Sequence, residues 1–153
     1  MTIETISFEE DVRLMGEFLQ LLEREQKCLI TNNVNEIEFI VAEKTTLLQQ
    51  INEAAKKRYA LLAKHHFESN ENGMVAWVIE QVDANLKKRW DAFQQLLFRA
   101  KETNRLNGML INKHFNRNRQ ILQGLQNAVK SSETYGRNGQ TKSSSSIRNG
   151  ITA

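Results

Sequence analysis

The chain has no proline, a single cysteine (Cys28) and only 7 glycines in 153 residues. Most of those glycines fall near or beyond the last periodic segment, so little interrupts a helical backbone over the first 130 residues. One cysteine excludes an intramolecular disulfide, and no apolar run follows a basic start at the N-terminus. A reducing cytoplasm is therefore the expected compartment. The longest unbroken apolar stretch, Met74 to Ile79, is far short of the roughly 20 residues that cross a bilayer, so the chain reads as soluble. Also missing are a phosphate-binding loop, a nucleophile elbow and a glycine-rich dinucleotide fingerprint, which argues against an enzyme and against a cofactor.

What is present is helical periodicity. The length suits one domain with a continuous core. In the first segment Phe8, Val12, Met15, Leu19, Leu22 and Leu29 repeat at three-and-four spacing, predicting a helix from about Ser7 to Thr31, with Ser7 and Glu10 placed as a capping box. The polar break Thr31-Asn32-Asn33 follows, and Asn33 with Glu36 repeats the capping signal. The second helix carries Ile37, Ile40, Val41, Lys44, Leu47, Leu48, Ile51, Ala55, Tyr59 and Leu62 along a heptad-like seam, if the Lys44 stem lies along it. So short a connection predicts an antiparallel hairpin. Residues 65 to 73 read as a loop closed by Asn72-Gly73; Met74 to Val82 would also fit a buried strand, but with no partner strand elsewhere it reads as a short helix. A long amphipathic helix is expected from about Asp83 to Lys130, with Leu86, Trp90, Phe93, Leu97, Ala100, Asn104, Asn107, Ile111, Phe115, Asn118, Leu122, Leu125 and Val129 near one seam. Residues 131 to 153 turn to Ser, Asn, Gly and Thr with scattered bases, a composition expected to stay disordered. The expected fold is all-α: an antiparallel helical hairpin plus a long C-terminal helix, three-helix bundle-like over residues 1 to 130, with a flexible tail over 131 to 153.

Charge is unevenly spread. Residues 1 to 34 hold seven acids and three bases, whereas residues 101 to 153 hold nine bases and two acids. This asymmetry could align the first and last helices or attract an acidic partner such as nucleic acid. The triplets Lys56-Lys57-Arg58 and Lys87-Lys88-Arg89 each radiate around a helix axis and read as solvated faces. Arg105, Lys113, Arg117 and Arg119 are better placed but lack interleaved aromatics, so nucleic acid ranks low as a partner. His65 and His66 point to different sides of a helix, His114 is remote and Cys28 has no second thiol, which leaves no zinc-like spacing and no expected metal. Cys28 beside Leu29 reads as a packed thiol rather than a nucleophile.

The main local anomaly is Asn104-Arg105-Leu106-Asn107-Gly108-Met109-Leu110-Ile111, where three helix-unfavourable residues interrupt a strong helical pattern. Glycine costs about 1 kcal/mol there relative to alanine. Two readings stand side by side. In one, helices cross closely at the missing glycine side chain with asparagine amides bonded across; in the other, the surface stays polar to accommodate a partner.

Taken together, Leu21-Leu22-Glu23 with Glu25, Glu43-Lys44 before Leu47-Leu48, a Trp-containing middle, Asn104 and Asn107-Gly108 before Leu110-Ile111, and Tyr135-Gly136 with Gly139 form an order that resembles the FlgN family of flagellar export chaperones over about residues 8 to 140. The resemblance implies a cytoplasmic chaperone that binds hook–filament junction proteins, prevents their early assembly and delivers them to the export gate and its ATPase complex. It also implies that the C-terminal portion is the substrate side. Asn104, Asn107, Gly108, Leu110, Ile111, Phe115, Ile121, Leu122 and Leu125 are then the candidate substrate contacts, and Tyr135 and Gly136 the candidate gate-docking residues. The free protein would be a monomer or dimer. A helical coiled-coil adaptor or scaffold without an export role is the alternative.

Overall fold

A computed structural model describes residues 4 to 136, with side chains described as far as residue 132, and it contains four helices: α1 (Glu9–Thr31), α2 (Val34–Lys64), α3 (Glu71–Glu80) and α4 (Ala84–Gly136). Among the described residues there is no strand. Three acids, Glu9, Glu10 and Asp11, open α1 where the helix dipole favours negative charge. The expected capping box does not form there. Ser7 Oγ accepts from the Glu9 amide at 3.3 Å, while the Glu10 carboxylate is drawn one turn onward to the Arg13 guanidinium. Phe8 occupies the cap position and enters the core.

The single stripe predicted for α1 is too narrow. Leu14, Phe18, Leu21, Asp11, Glu25 and Cys28 are buried as well, so α1 packs on two sides and acts as the central element of the first unit. It ends at Asn32, whose left-handed backbone (φ 60°) suits asparagine better than most residues. Asn33 then caps α2 by accepting from the Glu36 amide at 3.4 Å, as predicted.

Ion pairs set the direction of the hairpin. Asp11–Arg58 joins the start of α1 to the end of α2, with Glu4–Lys64 just before it, whereas Arg24–Glu43 and Glu25–Lys44 join later α1 to earlier α2, so the two helices are antiparallel. By contrast Glu9–Arg89 and Glu23–Arg99 advance together, so the first part of α4 runs parallel to α1. The α2 seam is only partly covered. Ile40 and Leu62 are fully buried, but Val41 and Leu48 are exposed, because α2 presents a narrow edge to α1.

Arg58 corrects the expectation of a solvated Lys56-Lys57-Arg58 face. Its side chain is 3% exposed and donates to Asp11 at 3.3 Å and to Glu71 at 3.2 Å. Its position one turn before Leu62 puts it on the packed edge of α2, where a charge is tolerated only when paired. Burial raises the Asp11 carboxyl above its ordinary value despite the nearby guanidinium.

The α3 helix starts at Glu71, three residues earlier than predicted, because Asn70 caps it by accepting from the Gly73 amide at 2.9 Å. Gly73 therefore sits in the first turn of α3 rather than in a loop. A Cβ there would lie 1.9 Å from the Glu68 carbonyl oxygen, so only glycine allows the backbone to pass this closely. Met74, Trp77 and Val78 of α3 join Met15, Phe18, Leu19 and Leu22 of α1, Leu62 of α2, and Trp90, Phe93 and Ala100 of α4 in one core. At its end Phe8 meets Trp90 edge-on with ring centroids 5.3 Å apart, and Trp90 meets Phe93 at 5.6 Å. A smaller cluster joins Leu21, Cys28 and Ile40.

The described residues divide into two units, the first ending at Leu110 and the second beginning at Ile111. Backbone helix continues through Gly136, six residues beyond the predicted end at Lys130. The rest of the expected tail, residues 137 to 153, lies outside the described residues.

Candidate functional site

The candidate residues all lie on α4, and their surroundings follow from its seam. Trp90, Phe93, Leu97, Ala100, Asn104 and Asn107 recur at three-and-four spacing, and Ile111, Phe115, Asn118, Leu122, Leu125 and Val129 continue the same face. In the first unit this face is largely filled: Trp90, Phe93, Ala100 and Asn107 are buried, and Leu97 packs against the core.

Asn104 and Asn107 belong to a polar cluster in the first unit. Asn107, with no exposed surface, donates through Nδ2 to the Leu22 carbonyl at 2.9 Å and to Glu25 Oε1 at 2.8 Å. Lys44 Nζ reaches the same Glu25 carboxylate at 3.4 Å and donates to Asn104 Oδ1 at 2.8 Å. Lys44 thus lays its stem along the α2 seam as predicted and brings its charge to a carboxylate that would otherwise be buried alone. The cluster ties α1, α2 and α4 together, and Asn107 Oδ1 is buried with no hydrogen-bond partner among the described residues.

This arrangement divides the two readings of the asparagine-glycine run. The amides do bond across a helix contact, so Asn107 is occupied by α1 and is not open to a ligand. The glycine does not make a close crossing: a Cβ on Gly108 would meet nothing within 4 Å. Leu110 is half-buried at the end of the first unit.

In the second unit the seam is open. Phe115 is 66% exposed, Leu122 and Leu125 are 59% exposed, and Ile111, Ile121 and Val129 are exposed as well. Lone exposed apolar side chains need no explanation, but here large ones recur at helical spacing along one face. Tyr135 and Gly136 fall in the last turn of α4, and their side-chain surroundings lie outside the described residues. The structure thus separates the predicted residues into two sets: Asn107, buried, with the exposed Asn104 beside it in one polar cluster, and Ile111, Phe115, Ile121, Leu122 and Leu125 along an exposed apolar row. A groove of about 560 Å³ between α1 and α2, lined by Leu21, Leu47 and mixed charges, includes none of them.

The sequence profile of the FlgN protein family matches residues 5 to 143. The chain belongs to the FlgN family. Among solved structures, a protein from Pseudomonas aeruginosa described as a FlgN-type flagella synthesis protein is 26% identical, with a TM-score of 0.59 over 70% of this chain and 84% of that one. No curated protein matches. FlgN membership places the chain with the flagellum-associated chaperones. No helix among the described residues is long and apolar enough to cross a membrane, and no group of three or more His, Cys, Asp or Glu side chains could hold a metal ion there.

Sequence reasoning missed Asp11, Arg58 and Glu25 as buried polar residues of this FlgN chain. The signal was available, since Glu25 and Asp11 stand at three-and-four spacing from the apolar residues of α1. Cys28 is buried, and that burial together with the Glu36 carboxylate pushes its thiol above the ordinary value, which suits packing and not nucleophilic attack.

Proposed function

We propose that this protein is a cytoplasmic export chaperone for hook–filament junction proteins. It holds them along the open α4 seam, keeps them from assembling early and delivers them to the export gate and its ATPase complex. The single observation that carries this reading is the row Ile111, Phe115, Leu122, Leu125 and Val129, large apolar side chains left exposed on a helix whose preceding turns bury the same face. An amphipathic helix of this kind pairs with a helix of its client, with no nucleotide or metal needed for capture. Tyr135 and Gly136, at the end of the same helix, are the proposed gate-docking residues.

Capture from cells expressing the junction proteins tests this directly. The native chain should retain at least one of them, and Leu122→Asp/Leu125→Asp should reduce retention more than tenfold with unchanged far-ultraviolet helicity. A native chain that retains neither would sink the proposal. Loss of helicity in the double variant would show instead that the row is core.

A further inference from the structure

This inference rests on the carrier reading above and concerns the chemistry of the client segment. In the first unit the α4 seam packs with α3, with Leu62 and Lys44 of α2, and along its length with α1, an amphipathic helix bearing buried apolar side chains and several carboxylates. Three of those carboxylates meet α4. Glu9 pairs with Arg89 at 2.9 Å, Glu23 with Arg99 at 3.4 Å, and Glu25 accepts from the buried seam amide Asn107 at 2.8 Å.

The open half of the seam repeats those features. Arg99 immediately precedes the seam residue Ala100, and Arg117 immediately precedes the seam residue Asn118 in the same way. Asn118 lies eleven residues, about three helical turns, beyond Asn107 on the same face. Arg119 borders the row on the other side, and no Asp or Glu occurs from Thr103 to Ser132. Any helix laid on this row enters an uncompensated positive field. A covered Asn118 also requires a polar partner, as Asn107 does.

We infer that the open α4 seam is built for an acidic amphipathic helix of the export client, one that places carboxylates against Arg117 and Arg119 and a polar acceptor opposite Asn118. The same charges disfavour a second copy of this helix, because pairing two such rows brings arginines together without acids. They also disfavour nucleic acid, since Arg117 and Arg119 lie to either side of a face whose centre is apolar.

Three fluorescent peptides of one amphipathic heptad pattern, differing only in flanking Glu, Gln or Lys, provide the test on the full chain. The acidic peptide should bind at least fivefold more tightly than the neutral one, the basic peptide weakest of all, and the acidic advantage should shrink between 50 mM and 500 mM salt, as estimated for two partly exposed ion pairs. Arg117→Glu/Arg119→Glu should invert the order so that the basic peptide wins. Absence of that crossover, including failure of every peptide to bind, overturns the inference. So does displacement of the acidic peptide by a single-stranded RNA at equal concentration, or a tight homodimer that excludes the peptide. Junction-protein capture separates the two claims: if capture persists while the crossover is absent, only the charge assignment falls; if capture is absent, the carrier reading falls with it.

Discussion

The α4 seam appears twice in this molecule with opposite outcomes. From Trp90 to Asn107 it is largely packed into the core of the first unit and ends in the buried hydrogen bonds of Asn107 to α1, and from Ile111 to Val129 the same spacing of large side chains meets solvent. The periodicity is equally good in both stretches, so the difference lies in what is available to pack against it. A seam of this kind is a demand for a partner helix. In the first unit the chain supplies packing partners itself, and in the second the apolar row is left exposed among the described residues.

Phe93 and Phe115 give the sharpest contrast. Phe93→Ala should destabilise the fold by about 3 to 5 kcal/mol, since a buried aromatic is deleted beside Trp90 and Phe8. Phe115→Ala should stay within about 0.5 kcal/mol of the native chain. Urea denaturation of both variants decides it, and a large loss at Phe115 would show that the second stretch is covered after all.

The asparagines offer a second, smaller contrast. Asn107→Ala should cost about 1 to 3 kcal/mol, because Glu25 and the Leu22 carbonyl lose a buried donor, whereas Asn118→Ala should leave stability nearly unchanged. Equal effects in thermal melts would erase the distinction between the two halves.

Gly108→Ala should stabilise by up to about 1 kcal/mol through helix propensity, there being open space for the methyl group. If this variant nevertheless loses client capture, glycine is present for the partner and not for the fold.

The smallest effect concerns pH within the closed half. Burial raises the folded-state Asp11 carboxyl above its ordinary value. The folded chain therefore holds that proton more tightly than the unfolded chain. The resulting stabilisation is fully present below the unfolded carboxyl value and lost as pH rises through the raised folded value. Relative to Asp11→Asn, the native chain should gain stability on acidification from pH 7 toward pH 4. A gap that narrows instead, read from denaturation at each pH, would contradict the raised carboxyl.

Much of the architecture could be read from spacing alone. Four helices, the antiparallel hairpin and the Asn33 cap follow from residues whose effects act within one or two turns. The Ser7–Glu10 box failed because Arg13, also local, competes for the same carboxylate. Arg58 escaped notice because a charged triplet looks solvated until its partners Asp11 and Glu71 arrive from other helices. At the candidate site, the apolar row was legible, but its division into covered and open halves was not.

The sequence by itself determined that this protein is helical, which faces of its helices are apolar and where its charge accumulates, since backbone propensity and side-chain period are properties of neighbouring residues. Only the tertiary structure decided which apolar face is satisfied internally, because burial depends on whether a second helix reaches it. That is why Asn107 proved to be closed by α1 while Ile111, Phe115, Leu122 and Leu125 stand open.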